Sequence, residues 1–320
     1  MKFASRTGGW LIGIISSATF GLIPLFAKPI LQSGVPHETV VFFRFVLATL
    51  MLGIIHLCSG GSFRLKRKEF FPLLILGGLY TASAMLLFWG YSQMSSGIAT
   101  VIHYMYPFFV SFILFAVFRE RIGSVTLLAT CIAVLGVSLL MGLWQSSEEI
   151  SIGFWAFFVV LVSGLSYAIY IVVVHHSAVR NMSGKLLSFW VLLTASAASL
   201  GNAIIRHGEI NLLPDLSSWI NILLLALIPT VISNIALVVA VQSIGATRTA
   251  VLGAMEPLTA VLVGITFFHE EIATSGHWGI VFILIAVLLT VLSGELEQKL
   301  RGYYRHFRRA ITRRSIERHR

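Results

Sequence analysis

Gly245 to Ile272 reads GATRTAVLGAMEPLTAVLVGITFFHEEI, a long apolar run interrupted near its middle by Glu256 and Pro257 and closed by Glu270 and Glu271. A charged residue inside so apolar a run is costly unless its surroundings use it. The same wording stands earlier in the chain as SSGIATVIHYMYPFFVSFILFAVFRERI, Ser95 to Ile122. A shift of 150 positions places Pro107 on Pro257, Val101 on Val251, Met105 on Met255, Glu120 on Glu270 and Ile122 on Ile272. Self-similarity at a fixed offset marks an internal duplication.

Composition says where such a chain lives. Of its 320 residues 57% are hydrophobic and 11% charged, with a mean hydropathy of +0.89; a soluble domain carries about 25% charged residues. The chain therefore reads as a polytopic membrane protein. Its two cysteines, Cys58 and Cys131, fall inside apolar segments, so neither a disulfide framework nor a cysteine-based zinc site is expected. Lys2 and Arg6 imitate the basic start of a signal peptide. The apolar run that follows is too long for one and lacks a small-x-small cleavage site, so it is read as the first span.

A span needs about 20 apolar residues, and ten such runs are found. Five lie near 10–31, 37–57, 71–91, 97–118 and 123–143, and five near 153–175, 185–205, 218–241, 248–268 and 275–293. The halves are thus 9–143 and 153–293, followed by a basic tail, 294–320. With the N-terminus in the cytoplasm, cytoplasmic segments hold 20 of the 23 basic residues, as the positive-inside rule requires. The expected location is the cytoplasmic (inner) membrane, with both termini cytoplasmic. An odd number of spans per half makes the duplication an inverted repeat. A weaker match at a shift of 146 sets Ser17 on Ser163 and brings the first span of each half into it.

These features together resemble the drug/metabolite transporter superfamily, and within it the EamA-like bacterial transporters: two halves of five spans, Pro107 and Pro257 inside spans four and nine, Glu120 and Glu270 closing them, and Ser17, Phe20 and Gly21 in span one with Ser163, Tyr167 and Ala168 in span six. The resemblance covers about 10–293. It implies an all-α integral membrane fold, ten transmembrane helices as two inverted five-helix repeats around a central cavity. It also implies alternating access and small metabolites as cargo.

The candidate site residues follow from helical spacing. Glu256 lies about eight residues, hence ~12 Å, into span nine, on a face with Thr249, Gly253, Thr259 and Ala260. A stripe of small and polar groups suits a cavity better than lipid. There Glu256 is suited to carry a proton or pair with a cationic substrate; the plainer reading is a buried Glu that hydrogen-bonds backbone freed by Pro257. Span four offers Thr100, His103, Pro107 and Ser111 on one face. His103 is either a proton relay or a satisfied core histidine, and Tyr104 and Tyr106 read first as membrane-interface anchors. Span six offers Ser163, Tyr167 and Tyr170, and span eight Ser233 and Asn234, for a metabolite or for interhelical hydrogen bonds. Lys28 and Arg44 read as snorkelling to the outer headgroups, with Lys28 alternatively guarding the cavity mouth. Glu38 is placed to pair with Arg44.

Other chemistry is absent from the sequence. Glu120 and Glu270 fall on opposite faces of the membrane, each at the start of a following helix, where a carboxylate favours the dipole. His269, Glu270 and Glu271 do not form HExxH, and His175 and His176, being adjacent, are not expected to face one ligand; no metal and no cofactor are assigned. Without GxSxG, HExxH or an intramembrane Asp pair the chain does not read as an enzyme, and without a Walker motif it does not read as an ATPase. The tail from Lys299 to Arg320 interleaves basic residues with Tyr303, Phe307 and Ile311, the pattern of an interfacial helix on anionic lipid rather than a nucleic-acid site. The reading is a transporter, an exporter of small metabolites such as amino acids, with proton coupling through Glu256. A non-transporting membrane sensor or complex subunit is the alternative.

Overall fold

A computed structural model of the chain describes residues 6–93, 96–120, 122–140, 154–207, 212–268, 275–290, 292–293 and 296. Lys2, Arg121, the 144–152 connection, His269, Glu270, Glu271 and the Lys299 to Arg320 tail lie outside the described residues.

Among the described residues every regular element is helical. They are α1 (Arg6–Phe20), α2 (Ile23–Gln32), α3 (His37–Cys58), α4 (Arg67–Gln93), α5 (Ser96–His103), α6 (Tyr106–Ala116), α7 (Ser124–Leu140), α8 (Phe154–His176), α9 (Gly184–His207), α10 (Leu216–Ala226), α11 (Ser233–Ile244), α12 (Ala246–Leu252) and α13 (Met255–Phe268). A last apolar helix, α14, covers Ser275–Thr290. Among the described residues seven helical stretches are long and apolar enough to cross a membrane, and Tyr106–Ala116, Ser124–Leu139 and Ser275–Thr290 are shorter apolar helices. The bundle also turns large apolar side chains outward, among them Leu50, Ile54, Phe71, Phe115, Trp155 and Leu288, as lipid contact demands. The chain is a multi-pass membrane protein.

Among the described residues four of the long apolar runs are broken, each beside a proline. The first turns at Gly21 and Leu22 ahead of Pro24. The run holding His103 turns at Tyr104 and Met105, with Pro107 in the first turn of α6. The run holding Glu256 turns at Gly253 and Ala254 ahead of Pro257. Proline has no N–H to give to the residue four before it, so Pro257 leaves the Gly253 carbonyl free. That carbonyl accepts from the backbone N–H of Glu256 at 2.9 Å. In the fourth case Pro229 sits in a π-helical segment, Leu227–Ile232, between α10 and α11, and irregular helix of this kind is often found where function needs it.

Packing pairs the elements across the two halves. The most extensive contacts are α4 with α8, α3 with α9, and α1 with α11; α12 rests on α6 and α13 on α1. Two glycines let a helix pack directly against another helix's backbone. A β-carbon at Gly21 would overlap the Glu256 carbonyl, and one at Gly164 would fall 2.6 Å from the His103 carbonyl. Both are places where the first span of one half touches a broken helix.

Candidate functional site

The breaks converge on a crevice of about 590 Å³ of empty space at the heart of the bundle. That figure takes in open space at the mouth; the enclosed part is about 40 Å³, room for a few water molecules, so the crevice is narrow and closed in by aromatic side chains. Gly21 and Pro24 reach it from the α1–α2 break, Arg44 from α3, Tyr80 and Ser83 from α4, Thr100 and His103 from α5, Tyr167 from α8 and Glu256 from α13.

One side is a fixed relay of hydrogen bonds. The Ser163 hydroxyl donates to the Ser83 carbonyl at 2.8 Å, and His103 Nδ1 lies 2.8 Å from the same oxygen. A hydroxyl has one proton to give. Because Ser163 gives it to the carbonyl, His103 Nδ1 must be the donor to Ser163, which leaves Nε2 for the crevice that His103 lines. The imidazole is further held by Tyr106 and Tyr167, whose ring centroids lie 5.9 and 5.7 Å from its own. Tyr167 in turn stacks on Tyr170 at 5.9 Å and meets Tyr106 edge-on at 4.9 Å.

The opposite side is charged. Arg44 is only 1% exposed, so it does not snorkel to the headgroups; it is turned into the bundle. Pro229 explains how it is held. Lacking an N–H, Pro229 leaves the Leu225 carbonyl unused by the helix, and the Thr230 hydroxyl donates to it at 2.8 Å. The Thr230 oxygen is then aimed to accept from Arg44 Nε at 2.7 Å, while the guanidinium carbon stands 5.4 and 5.7 Å from the ring centroids of Phe20 and Phe45. Rings at that range stabilise a cation. Glu256 faces the same crevice and interacts electrostatically with Arg44. The rule that an intramembrane ionisable group marks function, applied to Arg44 with the same weight as to Glu256, finds this residue from the sequence.

The other expected residues divide into lining and supporting. His103, Thr100, Tyr167 and Glu256 line the crevice. Ser163 and Tyr170 are completely buried behind it. Asn234 is also behind it, donating to the Tyr80 hydroxyl at 2.9 Å and to the Thr230 carbonyl at 2.8 Å; it positions the ring that does line the site. Thr249 donates to Gly245 within its own helix at 2.8 Å, and Lys28 is not among the lining residues. Tyr104 and Tyr106 are 2% and 3% exposed, so they are core groups and not interface anchors. Tyr104 donates to the Val251 carbonyl at 3.1 Å, tying one broken helix to the other.

Glu38 lies 3.3 Å from His37 Nε2 and 3.9 Å from Arg206 at one end of the bundle. At the other end Glu120 reaches His176 Nε2 at 2.9 Å. Adjacent His175 and His176 do share a partner there: a nitrogen of each and a Glu120 oxygen lie within 4.8 Å of one another. They do so because α8 ends at His176, and the carboxylate comes from a separate segment just beyond α6.

Comparison with known proteins agrees with this architecture. The pattern of the EamA-like transporter family matches residues 7–142 and 154–292. An uncharacterized transporter of Archaeoglobus fulgidus is 29% identical over 191 residues, and one of Bacillus subtilis is 26% identical over 137. These matches take in 60% and 42% of this chain, which spans 65% and 43% of the length of those relatives. A solved crystal structure, 16% identical, superposes with a TM-score of 0.78 over 92% of this chain and 99% of its own, a likeness of fold alone.

Proposed function

Because the chain belongs to the EamA-like transporter family, we propose that it is a membrane transporter exporting small metabolites that carry both an anionic and a cationic group, amino acids or close relatives. The observation that carries this reading is the crevice itself, where buried Arg44 and crevice-lining Glu256 offer opposite charges amid tyrosines and phenylalanines. Arg44 takes the carboxylate of such a substrate, for which a guanidinium is well shaped. Glu256 takes the ammonium, and the aromatic walls take an apolar side chain. Thr230 and Asn234 hold Arg44 and Tyr80 in place.

The architecture proposed with it is ten spans in two inverted halves, moving by alternating access. The packing pattern supports it: exchanging the halves turns the α1–α11 contact into α8–α4, α13–α1 into α6–α8 and α12–α1 into α5–α8, and leaves α3–α9 in place. Such exchange is expected of a pseudo-two-fold axis in the membrane plane. Both termini are cytoplasmic in this reading. Lys185 meets Ser59 at the end of the bundle that carries Arg64, Lys66, Arg67 and Lys68, the excess of basic residues expected on that side.

Glu256 also carries the coupling proton, accepting it when the crevice opens to one side and releasing it to the other, with His103 Nε2 as the second proton-exchanging group in the lining. Purified protein in proteoliposomes, offered labelled amino acids, organic anions and organic cations under an imposed pH gradient, tests all of this. Zwitterions are expected to move fastest, and Glu256→Gln is expected to lose the gradient-driven part of the flux. Full gradient-driven transport by that variant overturns the coupling. A wild-type protein that moves no solute returns the chain to the sensor or complex-subunit reading.

A further inference from the structure

Outside the crevice, a cluster of titratable side chains lies at the end of the bundle away from Glu38. There Glu120 Oε1 stands 2.9 Å from His176 Nε2, and the His175 and His176 rings meet edge to face with centroids 4.8 Å apart. A simple Glu120–His176 ion pair accounts for two of the three groups. It does not account for His175, whose ring hydrogen-bonds the Val241 carbonyl while Nδ1 is buried with no hydrogen-bond partner. The donating nitrogen is therefore Nε2, and Nδ1 keeps its lone pair. A metal-binding histidine is normally arranged this way, one nitrogen donating to a backbone carbonyl to fix the ring and the other left as the ligand. Phe118 stacks on the His176 ring at 4.0 Å and fixes that one too.

We propose that Glu120, His175 and His176 bind a divalent transition-metal ion, zinc above all, linking the end of α8 to the α6–α7 connection. Two imidazoles and one carboxylate form a familiar three-ligand zinc set whose fourth position takes water or an exchangeable ligand. That position opens on a polar pocket lined by Glu120 and His175 together with Thr126, Gly245 and Thr247. Ligand atoms about 2.0–2.1 Å from zinc stand roughly 3.3 Å apart, so the 4.8 Å limit of the present cluster closes by side-chain shifts of no more than about 1.5 Å. Arg248 lines the same pocket and Arg180 interacts with His175. Their positive charge works against any divalent cation, so the donor set decides which one binds: calcium and magnesium need several oxygen ligands, whereas two imidazoles suit zinc and its neighbours.

The test uses full-length protein in detergent, purified without a polyhistidine tag and titrated with Co²⁺ and then Zn²⁺. The expected result is one equivalent of Zn²⁺ per chain, displacement of the Co²⁺ absorption, and a rise in the thermal midpoint that Mg²⁺ and Ca²⁺ do not produce. Glu120→Gln, His175→Ala and His176→Phe should each weaken binding by at least about tenfold with the metal-free midpoint little changed. Should a variant fold poorly, zinc protection of His175 and His176 in the wild type against diethylpyrocarbonate, read by mass spectrometry, decides the matter. Zinc uptake by the triple variant equal to wild type, no uptake by the wild type, or unprotected histidines in the zinc-loaded protein each overturn the site.

Discussion

The Tyr106 hydroxyl rests against Gly253 so closely that a β-carbon there would overlap it. One residue belongs to the first broken helix pair and the other to the second, so the contact clamps the halves together beside Glu256. Gly253→Ala is expected to cost about 1–3 kcal/mol through overpacking, read as a lowered thermal midpoint in detergent. Tyr106→Phe removes the clashing oxygen, and the double variant should recover most of the loss, the signature of direct coupling in a mutant cycle. Additive losses would mean that the two residues act separately.

Gly21 and Gly164 pack against backbone, and each should lose stability when changed to alanine because its new β-carbon meets a backbone carbonyl that cannot move aside. Gly78 and Gly201 are helical glycines with nothing within 4 Å of a β-carbon. Alanine at those two is expected to be neutral or stabilising by up to about 1 kcal/mol. Thermal midpoints of the four variants side by side check the contrast.

Arg44 depends on Thr230 for its aim. Thr230→Ala should cost about 1.5–3 kcal/mol of substrate affinity, since a hydrogen bond to a charged group is lost, read as a raised KM in proteoliposome flux. Thr230→Ser keeps the hydroxyl and should restore most of it. Arg44→Lys retains the charge without the planar fork and is expected to transport poorly. A Lys variant with unchanged KM would remove Arg44 from the binding set.

Ser163 satisfies both His103 Nδ1 and the Ser83 carbonyl. Ser163→Ala orphans the His103 Nδ1–H and should cost about 1–3 kcal/mol for that buried group left unmet. Ser163→Thr keeps the oxygen and separates hydrogen bonding from packing. Denaturation midpoints of the two variants supply the measurement, with Ser163→Ala the lower.

Much of the crevice was legible before the structure. The four- and three-residue spacing of Ser163, Tyr167 and Tyr170 does put them together on one face of α8, and the 150-residue offset picked out the helices that carry His103 and Glu256. Asn234 was found by its polarity alone, although its part is to hold Tyr80. Arg44 was misread because a basic residue a few positions from a helix end can equally reach headgroups or turn inward. Local sequence carries no signal that Thr230 waits for it. The same limit hid the Glu120, His175 and His176 cluster, whose members lie on different elements.

The sequence by itself determined that this is a membrane bundle with helices interrupted beside prolines, because hydropathy, periodicity and proline chemistry act over a few turns. Only the tertiary structure decided which faces meet. It set Arg44 and Glu256 in one crevice and put the Tyr106 hydroxyl on Gly253, because those contacts depend on how close two backbones can come, and a glycine in one helix reveals that only when the other helix is beside it.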